Sequence, residues 1–128
     1  MELATPEQQL ETFNSARTER REQVEQQPVE QRESEYETTS RVTEEAIKQE
    51  APSFEATSHA PRSVEDSLPP EEQAKIQEWI NIAANDGPYA AIQKAKDADP
   101  ALLDAFHAAL TGQLHDQLTQ LGKLEEVR

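Results

Sequence analysis

Apolar side chains are spread unevenly along this chain, and their spacing changes near Ser67. Beyond that point they recur at helical intervals. Ile76, Trp79, Ile80 and Ala83 fall at i, i+3, i+4 and i+7, one face of a helix. Pro69-Pro70-Glu71-Glu72 starts it, because proline lacks only a donor that the first turn leaves unused and acids favour the positive end of the helix dipole. Asn85-Asp86-Gly87 ends it, with glycine suited to a positive φ. Pro88 opens a short second helix with Tyr89, Ile92 and Ala95 inward. Asp99 then caps a third, with Pro100 in its first turn. Phe106, Leu110, Leu114, Leu118 and Leu121 all lie within about 60° of Leu103 around that helix. The spacing therefore predicts helices over 70–85, 88–96 and 100–121. Gly112 stands opposite the leucine stripe, where glycine costs about 1 kcal/mol relative to alanine, so Thr111-Gly112 is the place where the third helix would break. A single continuous helix is the expectation.

Residues 1–66 carry scattered large apolar residues: Leu3, Leu10, Phe13, Val24, Val29, Tyr36, Val42, Ile47, Phe54 and Val64. After Leu10 and Phe13, the next positions of a potential face hold Arg17, Arg20 and Arg21. Ordering such a segment costs about 1–2 kcal/mol per residue, with little apolar area to offset it. Pro28, Pro52 and Pro61 interrupt it further. Helix-forming composition over 7–27, and a capping-like start at Thr43-Glu44-Glu45-Ala46-Ile47-Lys48, make two transient helices the most structure expected here. The reading is an all-α protein: a small three-helix module over 67–128, preceded by an intrinsically disordered acidic tail over 1–66.

Charge narrows the range of partners. The net charge is −14. Residues 1–68 hold 16 acids against 7 Lys and Arg, and the remainder hold 10 against 5. Neither half has the basic patch that phosphate-backbone or anionic-membrane binding requires, so no nucleic acid is expected as a partner. There are no cysteines, hence no disulfide framework and no thiolate-held zinc. The start Met1-Glu2-Leu3-Ala4-Thr5-Pro6 lacks the pattern of a signal peptide, and no run approaches the roughly 18 apolar residues of a membrane span. A soluble, cytoplasmic protein is expected.

Catalytic chemistry finds little support. His59 lies in the tail. His107 falls at the rim of the leucine stripe with Asp104 one turn before it, the usual setting of a structural histidine, and the two are read as a pair fixing the core edge. His107 and His115 are about 12 Å apart along the helix, too far to share one small ion. The three glycines form no phosphate loop, and no nucleophile elbow or zinc-protease motif occurs. Ile76, Trp79, Ile80, Tyr89, Ile92, Leu103, Phe106 and Leu110 read as core, and no metal or cofactor is expected. The first two helices of the module are too short to cover the third. That leaves Leu114, Leu118, Leu121 and Leu124 as a face needing a second copy, a target groove or a transient helix from the tail. A protein-binding adaptor is the leading reading. One alternative is an acidic antitoxin or inhibitor whose tail folds on a basic target; a second is a small enzyme dependent on a metal or on His107.

The residues Asp99-Pro100, Leu103-Asp104-Ala105-Phe106-His107, Leu110 and Gly122-Lys123-Leu124 form a pattern. Over about 70–125 the chain resembles the C-terminal module of uncharacterised small proteins from reduced-genome bacterial lineages, which join a charged, variable N-terminal tail to a helical end. Ala108 and Gly112 depart from that family, which carries an acid after the histidine and a bulky residue at the later position. The resemblance implies no established activity. Members near genes of type IV secretion-like systems imply an accessory role at a larger assembly.

Overall fold

The computed structural model describes residues 5–26, 28, 34–57 and 69–120. Among them are five helices and no strands: α1 (Pro6–Glu25), α2 (Glu35–Glu50), α3 (Pro70–Asp86), α4 (Pro88–Ala95) and α5 (Pro100–Gln120). The last three stand where the spacing predicts them. Asp99 Oδ1 accepts the Leu102 N–H at 2.9 Å, so the predicted cap is in place. Gly87 has φ +107, which L side chains rarely adopt, and it separates α3 from α4.

The first two helices correct the reading of the chain before Ser67 as a disordered tail. Residues 6–25 and 35–50 are helical and contribute Phe13, Val42, Ala46 and Ile47 to the same core as α3, α4 and α5. The three-helix module is thus one part of a five-helix core. Each added helix has a side-chain cap. Thr5 Oγ1 accepts the Gln8 N–H while Gln8 Oε1 accepts the Thr5 N–H, a reciprocal capping box. Ser34 Oγ accepts the Glu37 N–H at 3.0 Å, which places the start of α2 nine residues before the Thr43 cap that the sequence suggests.

Helix α5 is the centre. Its main neighbour is α2 on one side, with α3 and α4 on another. Leu102, Leu103, Ala105, Phe106, His107, Ala108, Leu110 and Thr111 are all buried, so the N-terminal half of α5 is covered nearly all round. Trp79 of α3 meets Phe106 edge-on, ring centroids 5.5 Å apart. Of the residues predicted as core, Ile76, Ile92, Leu103, Phe106 and Leu110 are buried, while Trp79, Ile80 and Tyr89 are half-buried and line its margin. No helix among the described residues is long and apolar enough to cross a membrane.

Helix α5 runs unbroken through Gly112, and a Cβ placed there meets nothing within 4 Å. Replacing Gly112 with alanine removes unfolded-state freedom without a clash. The G112A variant is expected to be more stable by about 0.5–1 kcal/mol in urea titration.

Candidate functional site

The face proposed for partner contact lies along the C-terminal half of α5, and the structure places a helix on it. Leu114 and Leu118 are 0 % and 1 % exposed. This corrects the expectation that they stand uncovered: both belong to the core that α2 and α3 share with α5. Leu121 and Leu124 lie outside the described residues.

The cover has an unusual composition. Helix α2 buries Val42, Ala46 and Ile47, but also Thr38, Thr39, Ser40 and Thr43. The threonines enter the interior because each hydroxyl is satisfied within its own helix. Thr38 donates to the Ser34 carbonyl at 3.1 Å, Thr39 to Glu35 at 3.0 Å and Thr43 to Thr39 at 2.7 Å. Bonded back one turn in this way, a threonine hides its hydroxyl and presents its methyl.

Helix α1 buries one narrow face: Gln9, Phe13, Arg17 and Val24. Gln9 and Arg17 fall four residues to either side of Phe13, so a single stripe carries an amide, an aromatic ring and a guanidinium. The two polar residues anchor different things. Arg17, 2 % exposed, donates from Nη2 to Glu35 Oε2 at 2.6 Å, from Nε to Thr39 Oγ1 at 3.1 Å and from Nη1 to Asn14 Oδ1 at 3.1 Å. The other Glu35 oxygen takes Arg21 Nε at 2.8 Å, so one carboxylate at the start of α2 holds two arginines of α1. Burial pushes the Arg17 guanidinium below its ordinary pKa, and the Glu35 carboxylate pulls it back. Arginine remains charged through this opposition, so the pair is ionic at neutral pH.

Gln9 anchors α1 to the other side of the molecule. Its Nε2 donates to the Asp86 carbonyl at 2.8 Å, and its Oε1 accepts the N–H groups of Tyr89 at 2.9 Å and Ala90 at 3.1 Å. One side-chain amide thus joins the last turn of α3 to the first turn of α4, groups that helix ends leave without intrahelical partners. Burial also raises the pKa of the nearby Tyr89 phenol.

Asp104 and His107, expected at the core edge, tie two further segments to α5. His107 is 1 % exposed and lies in the interior instead of at the rim. A carbonyl only accepts, so His107 Nε2–H donates to the Ser40 backbone oxygen at 2.8 Å, with Ser40 Oγ at 3.3 Å. Phe54, from the turn after α2, packs on its ring at 5.8 Å. Asp104 accepts the Thr57 N–H at 2.9 Å and its hydroxyl at 2.8 Å, holding that turn down. At the far end of α5, His115 packs on Tyr36 of α2 at 5.3 Å.

Among the described residues no group of three His, Asp or Glu converges as a metal site. The chain matches no family model, no curated protein and no solved structure.

Sequence reasoning passed over Gln9, Arg17, Glu35 and the threonines of α2. A period-3.6 signal containing Gln9, Phe13, Arg17 and Val24 was available, but only to a search that admits polar residues on a buried face.

The arginine clamp yields a contrast between two neighbours. Removing Arg17 takes away the more buried of the two cations on Glu35 together with its bonds to Thr39 and Asn14, and R17A is expected to cost about 3 kcal/mol. R21A, at the half-exposed limb, is expected to cost about 1 kcal/mol or less. Parallel urea titrations measure both.

Proposed function

We propose that this protein is a non-enzymatic protein-binding adaptor whose contact surface is the leucine face of α5, kept covered by α1 and α2 until a partner or a second copy displaces them. The observation that supports this reading is the contrast between surface and cover. Leu110, Leu114 and Leu118 on α5 lie in a core shared with α2, whose buried face is mostly Thr and Ser, and α2 in turn packs on α1, whose buried face is half polar. The hydroxyl protons of Thr38, Thr39 and Thr43 are spent within α2, so toward α5 these residues offer methyl groups smaller than a leucine side chain. An amphipathic helix with leucines at the contact positions seats more apolar area on α5 than α2 does.

The tail therefore acts as both tether and cover. A cytoplasmic setting suits a chain without cysteines, and the acidic surface keeps the covered state soluble. The resemblance of residues 70–125 to modules near secretion-like genes supports an accessory place in a larger bacterial assembly.

A photo-crosslinking side chain at position 118 of the full chain tests the reading. Irradiation in native extract is expected to give adducts to a second polypeptide alongside intrachain adducts to α2. Ile47→Val, which loosens the cover by about 0.5–1.5 kcal/mol, is expected to raise the intermolecular share about 2- to 12-fold. Adducts confined to α2 in both chains would show a permanent core and remove the proposal.

A further inference from the structure

Ile76, Trp79, Ile80 and Ala83 turn one face of α3 toward the core. Across the helix from them lies an open depression of about 470 Å³. Two rows of side chains at i, i+4 and i+8 bound it. Gln77, Asn81 and Asn85 form a row of amides, and Glu78, Ile82 and Asp86 form a row with an apolar residue between two carboxylates. Five of these six residues are exposed, and Ile82 is half-buried. Gln77 Nε2 donates to Asn81 Oδ1 at 3.1 Å, which aligns the first two amides and keeps the Gln77 oxygen as an acceptor for a ligand.

The charge of this face is one-sided. Among the described residues no lysine or arginine lines the depression, and neither Glu78 nor Asp86 is spent in an ion pair. Lys75, the one cation of α3, stands outside the lining, one turn after Glu71. The contact of Asp86 with Gln9 uses the backbone carbonyl, not the carboxylate. A single metal ion does not suit the two acids, which are eight residues and about 12 Å apart along the helix. Phosphate-bearing ligands are repelled by both. Two cations at the same interval fit. At each end an amide stands next to the acid, Gln77 by Glu78 and Asn85 by Asp86, and together they offer acceptors to the several N–H groups of a guanidinium.

We infer that the outer face of α3 is a docking groove for a basic helix of another protein, one with arginine or lysine at i and i+8 and an apolar residue at i+4. A helix is the element that carries this pattern in one row at the spacing of Glu78, Ile82 and Asp86. Two i, i+4 rows with a trough between them are also the relief into which a second helix sets its own i, i+4 row, crossing at about −50°. Charge argues for the same occupant. The chain has a net charge of −14, which steers a basic helix toward it, and the two spaced acids then fix the register. The face is open as the chain stands and no helix has to move, so the inference goes beyond the reading of α5 and does not depend on it.

A fluorescent alanine-rich peptide with two arginines eight residues apart and a leucine midway is the probe, titrated with the full chain. Anisotropy is expected to show saturable binding, at least about tenfold tighter than for a peptide of the same composition with its arginines on opposite faces. E78Q combined with D86N is expected to weaken binding at least about tenfold, and I82A about threefold. E19Q combined with E22Q removes two exposed acids from α1 and is expected to change it by less than about twofold. In a heteronuclear NMR titration of the wild-type chain, which needs no variant, amide shifts are expected to concentrate over 77–86. Equal losses in the two double variants would reduce the effect to general attraction by an acidic protein and overturn the inference. So would shifts centred away from α3, equal binding of the two peptides, or no saturation by about 1 mM. Crosslinking at position 118 reports on α5 instead, so either reading can fail while the other stands.

Discussion

Because α5 buries side chains around nearly its whole circumference from Leu102 to Thr111, helices packed on one side alone cannot keep it from water. Helices α3 and α4 take part of that surface, Trp79 and Ile92 among their contributions to the shared core. The remainder falls to α2, which lies against α5 more extensively than any helix except the α3–α4 neighbours lie on each other. Everything in the N-terminal segment follows from this requirement. A helix has to be found for the open side of α5, and the only chain available there is poor in large apolar residues. The fold meets the requirement by making polar residues buriable: threonines bonded within their own helix, His107 bonded to the Ser40 carbonyl, Arg17 enclosed by Glu35, Thr39 and Asn14.

That solution marks the boundary of what could be read from the chain. The three C-terminal helices were legible because their signals are redundant. Periodic apolar positions, prolines in first turns, the Asp99 cap and the Gly87 break agree with one another, and agreement across levels is what specifies structure. Helices α1 and α2 lack the first of those signals. Counting only apolar residues, Arg17 ends the face that Leu10 and Phe13 begin; in the structure Arg17 continues it and Leu10 lies beside it, half-buried. Thr38, Thr39 and Thr43 count as polar in any composition scale, yet each is 0 % exposed. His107 was expected at a rim because only one side of α5 was expected to be covered. Apolar area and angular position alone do not register such residues, because their polar groups enter the interior already bonded.

A cover of this kind is specified more strongly than it is held. Removing charges from water is costly even when they pair well, so the Arg17–Glu35 contact fixes where α1 lies on α2 more than it adds net stability. Hydrogen bonds that exchange water for protein contribute about 0.5–1.5 kcal/mol each, while leaving one unmade in the interior costs about 1–3. The docked state is consequently steep against sliding and misregister, since each such displacement leaves a buried group without its partner. Leucine-on-leucine packing behaves in the opposite way, tolerant of small shifts and resistant to exposure. The chain combines the two: an apolar body in α3–α5, and a polar-keyed cover in α1 and α2.

The placement of the keys adds a further asymmetry. On α1, Gln9 is bonded to the α3–α4 corner, and Arg17 two turns later is bonded to α2, so the same short helix bridges the apolar body and its cover. Breaking the Gln9 contact leaves α1 attached to α2 through Glu35; breaking the arginine clamp leaves α1 on the body and α2 dependent on its own contacts with α5. The two contacts therefore fix α1 at two places: the hydrogen-bonded corner sets where it meets the body, and the ion pair sets its register on α2.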